Sequence, residues 1–582
     1  LIEQGRKMKS SRVADAILLS IVISCVYSAA NSQTPKERPS ILDGNPNTDG
    51  AATAIAKPPK HVVRPKDPDQ TGCDGYGQML DKGDGLNTTA VGWYAGGNRL
   101  RGRPYSTGGV AACDRAIETQ TNWYPQHWRR KVSLFQSRAL HNIHFGDLKA
   151  AAGDIVAADA AVIEFDPFHN RSQRLNTRFI EAYLLMEMGD RQAGQEAALL
   201  AWRTRPYARQ SVDMALAAIG PDGDNHNILT LLKAKGRLDP NKSALPFLYE
   251  FENGRFAEAL EFADEIVPIR STPPDRDSFE KMMFYEENIP LNDIKFWVEI
   301  LGRKAYALQA LGQSAAADTV LSDLEHRFST SSLPPLTLPK KPTRLETMRA
   351  ATRNRINSEI SSAIPGSIED WRSIVLARRL ALEKAGTRQE KTGRFPFQLK
   401  AMGYASIELA AASAGKPAER ITPTQIHRFL ALPEHSVEDM FSILLDGEIV
   451  KRVHPVPSLE NEKFNWSECG EYINKKPNVF CHRTRDATLA TTEEWALLKA
   501  AVSAQKKGSA YFSISRRIDI QHSIIYSANY MPSGPMPFGF STQITISDRP
   551  GIQPDNVCWR CISPNEIEDS LKPIYVQKPG VR

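Results

Sequence analysis

The chain has 582 residues, a formal net charge of +6, 41% hydrophobic and 24% charged residues. Domains usually run to ~100–200 residues, so about three are expected, and the balance is that of an ordinary soluble globular protein. The mild charge, with no long Lys/Arg block, argues against a nucleic-acid partner. The cluster Arg129, Arg130, Lys131 reads as a solvated helix face.

From Met8 the chain runs MKSSRVADAILLSIVISCVYSAANSQ. Lys9 and Arg12 form a basic start, Ala16 to Tyr27 an apolar stretch, and Ser28-Ala29-Ala30 the small residues that a signal peptidase reads. Residues 1–30 are therefore expected to be an export signal, too short for a comfortable membrane span. Val22-Ile23-Ser24-Cys25 also resembles a bacterial lipobox, in which Cys25 would be lipidated. The apolar run continues through Val26 and Tyr27, which favours cleavage after Ala30. The expected location is the periplasm, with membrane contact only through lipidation at Cys25. Residues 31–72, rich in Pro, Asn, Asp and Lys, read as a disordered linker. DPDQTG within it is similar to the start of a calcium loop, but Gln78 stands where the closing Glu belongs, so solvated linker is the preferred reading.

After Ala30 six cysteines remain: Cys73, Cys113, Cys469, Cys481, Cys558 and Cys561. An even number in an exported chain points to disulfides. Cys73–Cys113 would pin the first helix to the chain before it, and Cys469–Cys481 would cross a hairpin. Cys558–Cys561, the CWRC stretch, would close a strand end before the last helix. A zinc site assembled from Cys469, Cys481, His482, Cys558 and Cys561 is the alternative for these side chains.

Residues 73–330 are Ala-rich and helical. Four stretches align on a turn glycine, Gly146, Gly189, Gly254 and Gly312. Each has an apolar helix ending at Gly, one or two polar residues, and a second helix, with small residues such as Ala139, Ala182, Ala259 and Ala305 where helices pack closely. This pattern resembles the tetratricopeptide repeat. The gaps between the glycines are uneven and all longer than the regular ~34 residues, so degenerate pairs are expected between them, one at 207–235. The resemblance implies helical hairpins stacked into a curved array with a concave binding face, and no chemistry. Residues 331–444 continue the array: a proline-rich loop at 331–344 is followed by three separate helices, RLETMRAATRNRINSEISSAI, EDWRSIVLARRLALEKAG and PFQLKAMGYASIELAAASAG.

Residues 445–582 change to β-rich alternation. A hairpin is expected in EYINKKPNVFCHR, a helix opening at Thr492-Glu493-Glu494, three strands (AYFSISRR, HSIIYSANY, FSTQITISDR), and a last helix begun by Ser563-Pro564. The hairpin and the following TTEEWALLKAAVSAQKKGSAYFSISRR resemble the C-terminal domain of tetratricopeptide proteins of the alphaproteobacterial envelope, and more loosely a family of small envelope lipoproteins. Neither family has an established activity. The expected fold class is therefore mainly α, a solenoid of helical hairpins followed by a small α+β domain.

Catalytic signatures are lacking. Gly539-Phe540-Ser541 lacks the closing Gly of a nucleophile elbow, and no P-loop occurs. His141 and His144, three apart on a helix, read as surface histidines, and Trp123, Tyr124 and Trp128 as a packing cap. The expectation is a non-enzymatic scaffold with no catalytic, cofactor or metal residues, binding an envelope protein or peptide. The alternative is an enzyme or metal-binding protein with its site in the C-terminal domain.

Overall fold

In the computed structural model the described residues are 69, 72–73, 107–120, 128–163, 167–268, 279–328, 339, 342–384, 422–444, 478–484, 489–524, 536–549 and 558–575. The signal, Cys25, Cys469, the linker apart from residues 69 and 72, and the helix expected at 396–415 lie outside them.

The described chain is mainly helical, with one small sheet. The helices run α1 (Thr107–Gln120), α2 (Trp128–His144), α3 (Leu148–Ala160), α4 (Pro167–Arg171), α5 (Gln173–Glu187) and α6 (Arg191–Thr204). They continue as α7 (Arg209–Ile219), α8 (Asn225–Leu238), a 3-10 turn (Pro240–Lys242), α9 (Leu245–Glu252) and α10 (Phe256–Ala263). Then follow α11 (Phe279–Ala310), α12 (Ser314–Phe328), α13 (Arg344–Lys384), α14 (Pro423–Phe429) and α15 (Val437–Ile443).

Gly146, Gly189, Gly254 and Gly312 lie between α2 and α3, α5 and α6, α9 and α10, and α11 and α12, all at positive φ, from +74° to +88°. At Gly146, Gly189 and Gly312 an added Cβ would meet nothing, so backbone conformation rather than space demands glycine. The residue after each glycine closes the preceding helix: Asp147 N donates to Asn142 O, Asp190 N to Leu185 O, Arg255 N to Glu250 O and Gln313 N to Leu308 O. Asp147 and Asp190 then cap the following helices through their side chains. The helices of each pair pack on one another, with Ala139, Ala151, Ala182, Ala259, Ala305 and Ala317 fully buried.

Three expectations are corrected here. The helices predicted on either side of residue 365 are one 41-residue helix, α13, that runs through Pro365. Its stripe Ile356, Ile360, Ile364, Ile368, Trp371 and Val375 is buried at helical spacing, and α13 packs on α11. Burying each such side chain stabilises by ~1.5–3 kcal/mol, which offsets the ~3 kcal/mol cost of a proline in a helix. Arg129 and Arg130 are buried rather than solvated. His141 is also buried, with Nε2 2.9 Å from the Cys73 carbonyl, while His144 is exposed.

The C-terminal part contains β1 (Val479–Thr484), α16 (Leu489–Lys506), β2 (Phe512–Ile524), β3 (Met536–Asp548) and α17 (Pro564–Tyr575). The strands form an antiparallel sheet in the order β1-β3-β2. The strand expected at AYFSISRR and residues 522–524, the described part of the one expected at HSIIYSANY, are one strand, β2, with register shifts between Ile514 and Arg516 and between His522 and Ser523. Helix α16 begins before Thr492, so Thr492, Glu493 and Glu494 lie inside it and are buried. One apolar cluster crosses the compositional boundary near residue 445, joining Phe179, Leu216 and Leu231 of the array with Trp495, Phe512, Ile544 and Tyr575. A second apolar cluster is built from α9 to α13.

Candidate functional site

Between the 3-10 turn, α9, α11, α13 and α14 lies a cavity of about 580 Å³, within the ~300–1,000 Å³ range typical of ligand sites. Helical periodicity aims its lining. Lys295, Glu299 and Arg303 recur every four residues on α11, and Glu359, Ala363, Ser367 and Asp370 recur at the same kind of spacing on α13. Leu245, Leu248, Trp371 and Phe429 supply apolar walls, and Lys242 stands at the end of the 3-10 turn. Trp371 is seated directly against the backbone of α11. A Cβ on Gly302 would come within 2.2 Å of the indole, so only glycine permits the approach.

Arg303, only 3% exposed, organises the floor. Its guanidinium lies 5.8, 5.5 and 5.7 Å from the ring centres of Phe251, Trp371 and Phe429, distances at which the ring quadrupoles attract a cation. Nη1 donates to Glu299 Oε2 at 2.6 Å, and Nε lies 3.6 Å from Glu252 Oε1. Glu252 is fully buried, and neither carboxylate oxygen finds a hydrogen-bond donor among the described residues. Burial pushes this carboxyl up to about 7, with Arg303 opposing. On the rim, Lys295 and Glu359 pair with one another.

A second charged assembly joins α16 to α4, to the end of α6 and to α7. Glu494, fully buried, accepts from Arg171 Nη2 at 2.6 Å, Arg205 Nη2 at 3.0 Å and Tyr575 OH at 2.6 Å. Burial alone would raise it, but Arg171 and Arg205 outweigh burial and hold it below the ordinary carboxylate value. Beside it Glu493 pairs with Arg209 and Arg517, and Asp519 accepts from Arg209, Arg517 and Thr542. Each of the three carboxylates is paired with at least two arginines, and the assembly ties two parts of the chain together.

None of the described cysteines lines the cavity. Cys73–Cys113 and Cys558–Cys561 are disulfides, with Cα atoms 4.6 and 5.2 Å apart. Cys481 is also disulfide-bonded. These bonds use the thiolates that a zinc ion would need. No group of three or more His, Cys, Asp or Glu among the described residues could hold a metal ion. CWRC forms a turn, Cys561 N to Cys558 O at 2.9 Å, that docks onto α8 and α10. Trp559 meets Phe262 edge-on at 5.8 Å, its carbonyl accepts from Arg237, and Arg560 reaches the carbonyls of Glu265 and Ile514. Ile562 then pairs with Phe512 of β2.

None of the residues singled out in the sequence lines the cavity. Lys242, Arg303, Asp370 and Trp371 were not distinguishable from ordinary helix residues. The one usable signal was Gly302, an isolated glycine inside a helical pattern, which marks close backbone approach. Among the described residues no helix is long and apolar enough to cross a membrane. Comparison with protein-family models, curated proteins and solved structures finds no match to this chain.

Proposed function

We propose that the protein is an exported, non-catalytic scaffold of the bacterial cell envelope whose helix pairs form a tetratricopeptide-like array. It binds a protein or peptide partner in the cavity between α9, α11, α13 and α14. The observation that carries this reading is the cavity itself. It has apolar walls, an arginine set among three aromatic rings, and charged groups at its edge, the composition that dominates binding energy at protein interfaces. The helix–glycine–helix units support the array. The disulfides fit an oxidising compartment, and the basic, apolar and small-residue order of residues 8–30 supports export.

The test is site-specific photo-cross-linking in envelope extract. A photoreactive residue at Phe296, which lines the cavity, should yield a discrete adduct. The same group at exposed Leu200 on α6 should not. Equal labelling from both positions, or turnover of a small substrate without any adduct, would overturn the proposal.

A further inference from the structure

The cavity lining carries three cations, Lys242, Lys295 and Arg303, and three anions, Glu299, Glu359 and Asp370. Four of these six are engaged with one another as Lys295–Glu359 and Arg303–Glu299. Lys242 and Asp370 make no ion pair among the described residues, and they stand on different walls, the 3-10 turn and α13. The apolar groups Leu245, Leu248, Trp371 and Phe429 share the lining with them.

We infer that the cavity selects a peptide segment bearing one acidic and one basic side chain around an apolar anchor, with Lys242 taking the acid and Asp370 the base. This rests on the proposed binding function and names the chemistry of its ligand. Charge complementarity favours that occupant. A polyanion such as a nucleic acid or an anionic lipid surface would meet Glu299, Glu359 and Asp370 as well as the cations, and the balanced lining gives it no net attraction. A purely apolar segment would leave the Lys242 ammonium half-buried with no direct ion-pair partner among the described residues. Burial and then the neighbouring Lys235 push that ammonium down, with Asp239 and Asp213 opposing, so a bound carboxylate relieves it.

The experiment pans the full chain against a random dodecapeptide display library, alongside K242E and D370K. Enriched peptides should share an acidic and a basic residue flanking a large apolar one. K242E should bind them about tenfold more weakly and enrich peptides with a basic residue in place of the acidic one. D370K should do the reverse. A misfolded variant cannot gain a swapped preference, so the exchange of preference is its own folding control. Peptides that enrich and compete with the Phe296 cross-link, yet ignore both charge reversals, would overturn this inference and leave the binding function standing. If no peptide enriches, both fail.

Discussion

Glu494 and Glu252, both fully buried beside arginines, lie in regions that use the same side chains to opposite effect. At the junction with α16, Glu494 receives two guanidiniums and a phenol hydroxyl, and every partner is in hydrogen-bond range. At the cavity, Glu252 has one guanidinium at 3.6 Å and no hydrogen bond among the described residues. Burial is the largest influence on both and pushes both upward. Two arginines reverse it at Glu494, and one does not at Glu252. Burial alone therefore does not set the role of a charge; the number and closeness of its donors do. The junction is built as a closed lock, whereas Glu252, next to the cavity-lining Arg303, is a carboxyl that burial pushes up to about 7.

Breaking the lock gives the largest effect. Glu494→Ala leaves Arg171 and Arg205 buried without their carboxylate and should cost about 3–5 kcal/mol. Urea unfolding measures it, and a loss below about 1 kcal/mol would remove the junction from the list of stabilising features. The contrast between the glutamates sharpens next as a difference in pH dependence. Glu494, depressed when folded, contributes stability that is present above its ordinary value of 4.5 and is lost as pH falls. Glu252, raised when folded, contributes stability that is full below 4.5 and is lost as pH rises through about 7. Between pH 5 and pH 8 the wild type should therefore lose up to about 3 kcal/mol relative to Glu252→Gln. Parallel chemical denaturation of the two proteins across that range, if the curves stay superimposed, sinks the assignment. A smaller effect is expected from Gly302→Ala. Its Cβ would collide with Trp371, costing about 1–3 kcal/mol and abolishing the Phe296 cross-link. Gly189→Ala, at φ +88° with open space around it, should cost only about 1 kcal/mol and leave the cross-link intact. If it instead matched Gly302→Ala on both readouts, the cavity would have no privileged place in the array.

Local signals were legible and distant ones were not. The turn glycines, the strand at FSTQITISDR and the Ser563-Pro564 helix start depend on a few neighbouring residues, and their chemistry is written locally. The pairing of the two cysteines in CWRC was legible for the same reason. Pro365 misled because its local cost is visible in the sequence, while the packing of the α13 stripe against α11 that outweighs it is not. Arg129 and Arg130 read as solvent-facing charges, and Glu493 and Glu494 as no more than a helix start, because nothing nearby announces their burial. Their environment is set by elements far along the chain, as when Arg209 of α7 meets Glu493 of α16. The cavity was illegible for that same reason, since its walls come from five elements spread between residues 241 and 430.

The junction also orders events in time. Arg171 and Arg205 are 323 and 289 residues from Glu494. A growing chain therefore displays both arginines, together with apolar residues such as Phe179, Leu216 and Leu231 that share a core with Trp495 of α16, long before the residue that neutralises them has been made. Such late, long-range contacts slow folding and leave earlier segments exposed to wrong partners. A chain halted anywhere before residue 489 cannot complete its own N-terminal half, so the last part of the polypeptide acts as the seal on the first.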